Sequence, residues 1–384
     1  MKKFLAVFLA LLMIVGCCAA LSSCGKKNTI KIGLSGPLTG ANAVYGKAVE
    51  NAAKLAAKEI NEKGGLNGIE LEIIAMDDQA DPANVAVNYA DMLAKGMQVS
   101  LGCVTSGACL EFTKLSKEDN VFFMTPSATN DDVPAEANGY QMCFSDNNQG
   151  TAAAGYVNQL YAEGKISEIG ILYRSGDAYS EGIRTKFLAS LNNDIQYVEA
   201  HFEGENPTDL TAQVQTLKDC KFIFCPIYYT PASTFMLQAK GVIAADAVYY
   251  GCDGFDGIDA VEGFDISAIP QEVSMLSHFN SGAKEGAAKT FIDAYTAEYG
   301  ADTLNQFGAS AYDCVYAIFG AMKKAIEGGA TIDHTTSASD LCEILKAQLN
   351  GGYTFSGVTG TNVTWQASGY VAKDAEYIVI KSAG

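Results

Sequence analysis

The sequence contains few of the residues on which catalytic and metal sites usually depend. Among its 384 residues there are three histidines, His201, His278 and His334, which lie far apart along the chain, and there is no Cys-x-x-Cys pair. There is no Gly-x-Ser-x-Gly elbow and no Walker loop, and the glycines of residues 33–40 lack the Gly-x-Gly-x-x-Gly spacing of a dinucleotide site. The sequence therefore predicts no enzymatic activity, no metal site and no cofactor.

Basic residues are also scarce. The chain has 26 lysines and arginines against 44 aspartates and glutamates. Removing residues 1–23, which include Lys2 and Lys3, would leave 24 basic residues against the same 44 acidic ones, a formal charge of −20. This excess argues against nucleic acid and against an anionic membrane surface as partners. It does not restrict the ligand, which senses only its local pocket.

The amino-terminal end combines a basic start with a long apolar run. Met1-Lys2-Lys3 is followed by the apolar stretch Phe4–Leu21 and then by Ser22-Ser23-Cys24. This pattern is typical of a secretion signal that is not part of the fold. Its last residues resemble the bacterial lipobox, in which the cysteine is acylated and becomes the new amino terminus.

We therefore expect a signal peptide over residues 1–23 and a lipid anchor on Cys24, with a tether over residues 24–28. Cys17, after Ile14-Val15-Gly16, is the alternative lipidation site. No other segment approaches transmembrane length without charges. The expected location is extracytoplasmic, with the protein anchored to the membrane by lipid, either at the cell surface or in the periplasm.

The remaining chain is long and contains eight cysteines. About 360 residues exceed what one compact core usually supports, so we expect two domains. Eleven cysteines less Cys17, Cys18 and Cys24 leave the eight. Buried free thiols are one interpretation, and one or two disulfides are the other, because spacing alone does not reveal pairing.

Strand and helix patterns alternate along the chain in two successive series. Apolar strands are predicted at 29–34, 71–76, 98–103, 121–124, 168–173, 196–202, 221–226, 247–251 and 272–276. Between them lie helical patterns such as 44–63, with Val49, Ala52, Ala56 and Ile60 on one face. This order predicts an α/β fold of two doubly wound domains with parallel sheets, joined by a hinge.

Polar clusters follow two of these strands. Thr125-Pro126-Ser127-Ala128-Thr129-Asn130 comes directly after an apolar run, and Asp253 follows another at Gly251-Cys252. Hydroxyls and free amides can hold a carboxylate, and an aspartate can hold an ammonium. In parallel sheets ligands bind beyond the carboxyl ends of the strands, so the two clusters together suggest a free amino acid as ligand.

Each cluster has a simpler interpretation. Ser127 and Thr129 could cap the following turn, and Asp253 could be an ordinary turn aspartate before Gly254. The whole segment Asp253–Asp259 loosely resembles a calcium loop, but it lacks the regular ligand spacing and the final glutamate. A solvated glycine-rich loop explains it better.

From Thr29 to beyond Trp365 the chain resembles the branched-chain amino-acid binding proteins of ABC importers, which have the type I periplasmic-binding fold. The matching segments are 33–40 (GLSGPLTG), Tyr45-Gly46, 60–68 (INEKGGLNG), Asp77-Asp78, Thr125–Asn130, 179–182 (YSEG) and Gly251–Gly254. The resemblance implies a lobe of residues 29–147 plus 277–354 and a second lobe of residues 148–276 plus 355–384. It also implies an ABC-type permease as partner, and we expect a monomer.

The resemblance carries roles to individual residues. It implies that Ser106, Ser127 and Thr129 hold the ligand carboxylate and that Asp253 and Tyr229 hold the ammonium, with Tyr228 as the adjacent alternative to Tyr229. It further implies that Tyr45 and Tyr179 close over the ligand and that Val104 and Phe307 contact its side chain.

Two departures from the family pattern stand out. The family often joins the loops after the second and third strands by a disulfide, but these positions are Ala80 and Thr105 here. Cys103, Cys109 and Cys143 lie near the same region without a clear pairing. The loop of residues 105–108 also has fewer hydroxyls than the serine-rich loop of the family, which leaves the identity of the bound amino acid open.

The resulting hypothesis is a lipid-anchored solute-binding protein that captures a free, apolar or branched-chain amino acid by clamp closure. The alternative is a binding protein of the same fold for an amide, urea or an aromatic acid. Loss of the ammonium acceptor would favour that alternative, and the presence of Asp253 argues against it.

Overall fold

The structure is a computed structural model that describes residues 28–134 and 138–383. The predicted signal peptide, the tether up to residue 27 and the lipidation sites Cys17 and Cys24 lie outside the described residues. Within them, no helix combines the length and the apolar character that spanning a membrane requires.

The first lobe is built on a five-stranded parallel sheet. Its strands are β1 (Thr29–Gly36), β2 (Glu70–Asp77), β3 (Val99–Cys103), β4 (Phe123–Thr125) and β5 (Gly139–Gln141). They lie in the order β2-β1-β3-β4-β5, and every pair is parallel. The helices of this lobe are α1 (Ala43–Glu62), α2 (Pro82–Ala94) and α3 (Ser106–Asp119), and after the second lobe α8 (Gly286–Tyr299), α9 (Gln306–Glu327) and α10 (Ala338–Asn350).

The second lobe contains a six-stranded sheet. Its strands are β6 (Glu168–Arg174), β7 (Gln196–Phe202), β8 (Phe222–Cys225), β9 (Val248–Gly251), β10 (Glu272–Ser277) and β11 (Glu376–Lys381), in the order β11-β10-β9-β8-β6-β7. Its helices are α4 (Asp146–Ala162), α5 (Ala178–Ser190), α6 (Thr211–Leu217) and α7 (Tyr229–Gln238).

The predicted fold of two doubly wound α/β lobes is confirmed, with one addition. β11 runs antiparallel to β10 along the sheet edge, and the sequence pattern did not reveal it.

The packing of α1 shows how the sequence specifies these layers. Val49, Ala52, Ala56 and Ile60 recur at helical spacing and are fully or almost fully buried. α1 packs against β2 and the long helix α9, so the small alanines allow close approach between the layers. The helix ends near Gly64 and Gly65, both at positive φ, as the sequence predicted.

The chain crosses between the lobes three times. It crosses between Met142 and Asp146, again just after Ser277, and finally before Glu376, where β11 begins. The three segments lie near one another. The Phe144 ring packs edge-on against His278 at 4.7 Å, and burial, together with the charge of the nearby Lys373, holds the pKa of His278 well below its usual value. Burial lowers the pKa of Lys373 to about 8, and its Nζ donates to Thr359 Oγ1 at 2.6 Å.

The last crossing comes later than the predicted limit at residue 355. Trp365 Nε1 donates to the Gln141 carbonyl at 2.8 Å, and Gln141 N donates to the Gly369 carbonyl at 3.0 Å. Val358 N and Thr359 N both donate to the buried carboxylate of Asp313 at 2.8 Å. Residues 355–371 therefore belong with the first lobe, because their polar backbone and Trp365 are satisfied by β5 and α9.

All eight cysteines of the described residues are buried free thiols. The nearby trio Cys103, Cys109 and Cys143 includes no disulfide. Burial holds the pKa of the Cys143 and Cys252 thiols well above its usual value, which further reduces their reactivity because the thiolate is the reacting form.

We expect the protein from Asn28 onwards to show no thiol reactive toward an aromatic disulfide reagent under native conditions and eight in denaturant without reductant. Native burial and the raised thiol pKa values both suppress the reaction. Spectrophotometric thiol counting before and after unfolding tests this. Six thiols in denaturant would mean that one pair is oxidised.

Candidate functional site

A small cavity between the lobes lies at the carboxyl ends of the strands. It is lined by Tyr45, Val104, Thr105, Ser127, Tyr179, Tyr228, Asp253 and Phe307. Val104, Thr105 and Ser127 follow β3 and β4 of the first sheet, whereas Tyr228 and Asp253 follow β8 and β9 of the second. The loops of both lobes therefore supply side chains to one shared site, as expected for parallel sheets.

Asp253 supplies the only carboxylate among the lining residues. It is 1% exposed, and burial raises its pKa to about 7. The Tyr179 hydroxyl donates to Asp253 Oδ1 at 2.7 Å, while Asp253 Oδ2 is buried without a protein partner. One carboxylate oxygen is thus held in place and the other can accept a hydrogen bond from a cation.

Neighbouring groups fix the position of this aspartate. Asp253 N donates to Gln149 Oε1 at 2.9 Å, and Gly254 N donates to the Tyr179 hydroxyl at 2.9 Å. Gln149 is fully buried near the start of α4, a contact that the sequence did not suggest. The turn after β9 is therefore tied to α4 and α5, which makes Asp253 part of a rigid wall.

Hydroxyl hydrogen bonds hold the first-lobe side of the cavity in place. Ser127 Oγ donates to the Val104 carbonyl at 2.6 Å, and Thr125 Oγ1 donates to the Cys103 carbonyl at 3.0 Å while accepting from Ala128 N at 3.0 Å. These bonds hold the turn after β4 against the loop after β3. Of the two hydroxyl residues predicted to present themselves at this strand end, Ser127 lines the cavity and Thr129 does not.

Aromatic rings form most of the remaining wall. Tyr179 and Tyr228 stack with their centroids 4.6 Å apart, and Phe307 meets Tyr45 edge-to-face at 4.7 Å. Burial holds the pKa of the Tyr45 and Tyr179 hydroxyls well above its usual value, so both are neutral donors. A ligand between these rings would meet an apolar surface with a few fixed polar groups.

Three residues named from the sequence lie beside the cavity and do not line it. Ser106 Oγ accepts from Asn130 N at 3.3 Å. Thr129 is fully buried behind the wall, where its carbonyl accepts from Asp146 N at 2.8 Å. Tyr229 packs edge-on against Tyr45 and its hydroxyl accepts from Val44 N at 3.3 Å.

Two neighbours along the chain line the cavity in their place. Tyr228, the alternative to Tyr229, stacks on Tyr179, and Thr105 lines the cavity where Ser106 was expected. The one-residue offset arises because both pairs straddle a helix start. Tyr229 and Ser106 are the first residues of α7 and α3, and the extended residue before each helix is the one whose side chain lines the cavity.

The lobes also bond directly to each other at the edge of the cavity. Tyr45 Oη donates to the Gly254 carbonyl at 2.5 Å, and Thr230 Oγ1 donates to the Ala41 carbonyl at 2.8 Å. Gln306 N, at the start of α9, donates to Asp256 Oδ2 at 2.9 Å. The aspartate lies where the helix dipole favours an anion, so the segment Asp253–Asp259 is a lobe contact as well as a loop.

The lining residues include no histidine and no cysteine. Across residues 28–134 and 138–383, no group of three or more His, Cys, Asp or Glu side chains is arranged to hold a metal ion. What the cavity offers is a single buried carboxylate, several hydroxyls and four aromatic rings. These groups can bind and orient a small zwitterion.

Comparison with known proteins places this geometry in a family. The family model described as "Periplasmic binding protein" matches residues 29–383. The chain belongs to the periplasmic binding proteins. This confirms the resemblance seen in the sequence, and it means that the chain is a binding component and not an enzyme.

Relatives and solved structures agree with this membership. The leucine-, isoleucine-, valine-, threonine- and alanine-binding protein of Pseudomonas aeruginosa is 30% identical over 311 residues, which is 78% of this chain and 79% of that protein. The branched-chain amino-acid substrate-binding protein LivJ of Streptococcus pneumoniae, solved with isoleucine, superposes with a TM-score of 0.78 at 26% identity, covering 93% of this chain and 97% of that one. A Rhodopseudomonas palustris solute-binding protein solved with benzoate has a TM-score of 0.73 at 17% identity, covering 92% and 94%, and shows the shared fold alone.

We expect a ligand that carries an ammonium to bind this periplasmic binding protein more weakly as the pH falls below about 7. Asp253, with a pKa of about 7, must be ionised to pair with the ammonium, so each pH unit below that value weakens binding up to about tenfold. Calorimetric titrations at pH 5.5, 6.5 and 7.5 measure this, and Asp253→Asn should flatten the profile. A profile of the wild type that is already flat would contradict the pairing.

We expect Asp256→Ala to speed ligand dissociation several-fold with little change in association rate, because the bond to Gln306 N forms only when the lobes are together. Asp259→Ala is the matched control, since Asp259 is an exposed aspartate of the same segment. Stopped-flow fluorescence gives both rates. Equal dissociation rates in the two variants would show that the Asp256 contact does not stabilise the closed form.

Proposed function

We propose that this extracytoplasmic protein captures a free amino acid, apolar or branched, and delivers it to an ABC-type permease. The observation that carries the proposal is Asp253, a buried carboxyl with one unpartnered oxygen, placed across an aromatic-walled cavity from the hydroxyl loops of the first lobe. Opposite groups on opposite lobes match the two ends of a zwitterion. The apolar rings match an uncharged side chain.

The comparisons support the same ligand class. The Pseudomonas aeruginosa relative is named for leucine, isoleucine, valine, threonine and alanine, and the Streptococcus pneumoniae structure holds isoleucine. Both matches extend over most of each protein, so the resemblance concerns whole chains and not one shared lobe. Among the site residues proposed from the sequence, Tyr45, Val104, Ser127, Tyr179, Asp253 and Phe307 are on the cavity wall.

The proposed mechanism is a clamp. The first lobe holds the carboxylate through its hydroxyl loops, and the second brings Asp253 and its tyrosines to the ammonium. Neither lobe alone removes water from both charged ends, so the ligand stabilises the closed form by its additional contacts there. A micromolar dissociation constant would correspond to about −8 kcal/mol.

The alternative ligands fit the site less well. An aromatic acid such as benzoate would place an anion beside the buried carboxyl of Asp253, which costs electrostatic energy unless Asp253 is protonated. Urea and simple amides lack a charge to pair with Asp253. Aromatic acids, urea and simple amides would each leave Asp253 Oδ2 without an ionic partner.

We also propose that the protein is a monomer held at the membrane by acylation of Cys24. Two or more acyl chains on one cysteine anchor a protein stably, since each buried methylene adds about 0.8 kcal/mol. Metabolic labelling with an alkyne fatty acid, compared between the wild type, Cys24→Ser and Cys17→Ser, distinguishes the two candidate cysteines.

The central experiment is a thermal-shift screen of the protein against the common amino acids, their amides, urea and benzoate. A ligand at a hundred times its dissociation constant adds about 2.7 kcal/mol of stability, enough for a shift of several degrees. We expect shifts with a few apolar amino acids and not with their amides. Shifts only with amides, urea or benzoate would make the alternative the correct function.

We expect Asp253→Ala to weaken binding of the same amino acid by about 2–5 kcal/mol, because a desolvated ammonium loses its partner. Asp253→Asn keeps the shape and should lose a comparable amount. Isothermal calorimetry measures both, with Asp259→Ala as the control that keeps wild-type affinity. Unchanged affinity in Asp253→Ala would remove Asp253 from the ligand site.

A further inference from the structure

Lys373 is a buried cation for which the ligand site has no use. Among the lysines and arginines of residues 28–134 and 138–383 it is the only buried one, with 8% of its surface exposed. Within that part of the chain its Nζ makes one hydrogen bond, to Thr359 Oγ1. An ammonium has three donors, so two of them have no protein acceptor there. A buried charge that is bonded so incompletely costs free energy.

Lys373 lies where the three crossings between the lobes come near one another. It belongs to the third crossing, and its charge acts on Cys143 of the first crossing and on His278 of the second. Helix α9 of the first lobe adds Asp313 and Cys314 to its surroundings. The positive charge is therefore placed among groups whose relative positions change when the lobes move.

The surroundings of Lys373 offer little compensation for its charge. Three of the four ionisable groups that face it are neutral, because burial raises the pKa of a thiol and lowers that of an imidazole: Cys143, Cys314 and His278. Asp313 is the one acid that faces it. Lys373 reaches this acid only through Thr359, whose hydroxyl donates to Asp313 Oδ2 at 2.5 Å.

Water lies close to this ammonium behind a thin wall. Lys373 is buried, whereas its neighbours Ala372 and Asp374 are exposed and line a surface groove of about 520 Å³. The groove lies between the lobes, because Asp131 of the first lobe and Lys186 of α5 both line it and form an ion pair at 2.9 Å. Its shape therefore depends on the angle between the lobes.

These observations give the effect of the charge a direction. With the lobes in contact the ammonium is poorly solvated, so a movement of the crossings that admits water lowers its free energy. We propose that the charge of Lys373 opposes closure, so that the empty protein stays open until a ligand binds. This inference rests on the clamp proposed above and names the group that sets its resting position.

Loss of this charge should favour closure. With the lobes in contact the pKa of Lys373 is about 8, because burial lowers it, and hydration on opening would raise it toward its ordinary value. The open form then holds the proton more tightly than the closed form. Closure should therefore strengthen as the pH rises above about 8, by up to about tenfold per pH unit.

The first test needs no ligand. Lys373→Met keeps the length of the side chain and removes its charge. Lys346→Met is the matched control, because Lys346 is a half-buried lysine of α10 whose Nζ bonds to Asn138 and Glu343. Small-angle X-ray scattering measures the compactness of the empty protein at pH 7.5 and 9.

We expect the wild type and Lys346→Met to become more compact at the higher pH, and Lys373→Met to be compact at both. The wild-type comparison stands even if Lys373→Met fails to fold. An empty wild type that is equally compact at both pH values would overturn the inference.

The second test is calorimetric titration with L-leucine and L-isoleucine over the same pH range. The ratio of the affinities of Lys373→Met and the wild type cancels the titration of the ligand and of Asp253. We expect Lys373→Met to bind several-fold more tightly at pH 7.5, and this advantage should fall as the pH rises to 9. The ratio for Lys346→Met should stay at one.

The affinities can also contradict the inference. Equal affinity of Lys373→Met and the wild type at pH 7.5 would show that the charge does not act on closure. Weaker binding by Lys373→Met would show that the charge supports the closed form. Absence of binding of both amino acids in the wild type would instead contradict the proposed function, and the scattering of the empty protein would then decide the inference by itself.

Discussion

The structure depends on keeping one carboxyl, that of Asp253, buried between two lobes. Removing a carboxylate from water is expensive, and here Tyr179 offsets part of that cost at one oxygen. The other oxygen remains available, and the raised pKa of about 7 reflects the remaining desolvation. The site therefore gains most from a ligand that brings its own positive charge.

The lobes are arranged to make use of this carboxyl. Each lobe alone is an ordinary α/β layer structure. The strand ends of the first lobe carry hydroxyls, and those of the second lobe carry tyrosines and an aspartate. Only their apposition forms a cavity that excludes water. Direct contacts between the lobes, such as the hydrogen bond from Tyr45 to the Gly254 carbonyl, contribute part of the free energy that holds the lobes together. A bound ligand contributes the rest, so its measured affinity depends on both sets of contacts.

Much of this could be predicted from the sequence, for physical reasons. Continuous apolar runs and helical periodicity are strong signals, and they predicted β1, α1 and the alternation of both lobes. Strand ends with Ser127 and Asp253 could be placed because parallel sheets bring such ends together. The choice between Tyr228 and Tyr229, or between Thr105 and Ser106, could not be made, because it depends on the residue at which a helix begins. β11 was missed because it is a partly buried edge strand, and the contacts of residues 355–371 with β5 and α9 could not be predicted because loops carry no periodic pattern.

The three adjacent crossings between the lobes have a mechanical consequence. Two lobes on a single tether could swing and twist in any direction, whereas three connections that lie near one another, with Phe144 packed against His278 and Lys373 close by, are expected to resist twisting and sliding. One bending motion remains comparatively soft. In the clamp proposed above, such connections favour bending over twisting, which would bring Asp253 to the opposite loops in one fixed orientation.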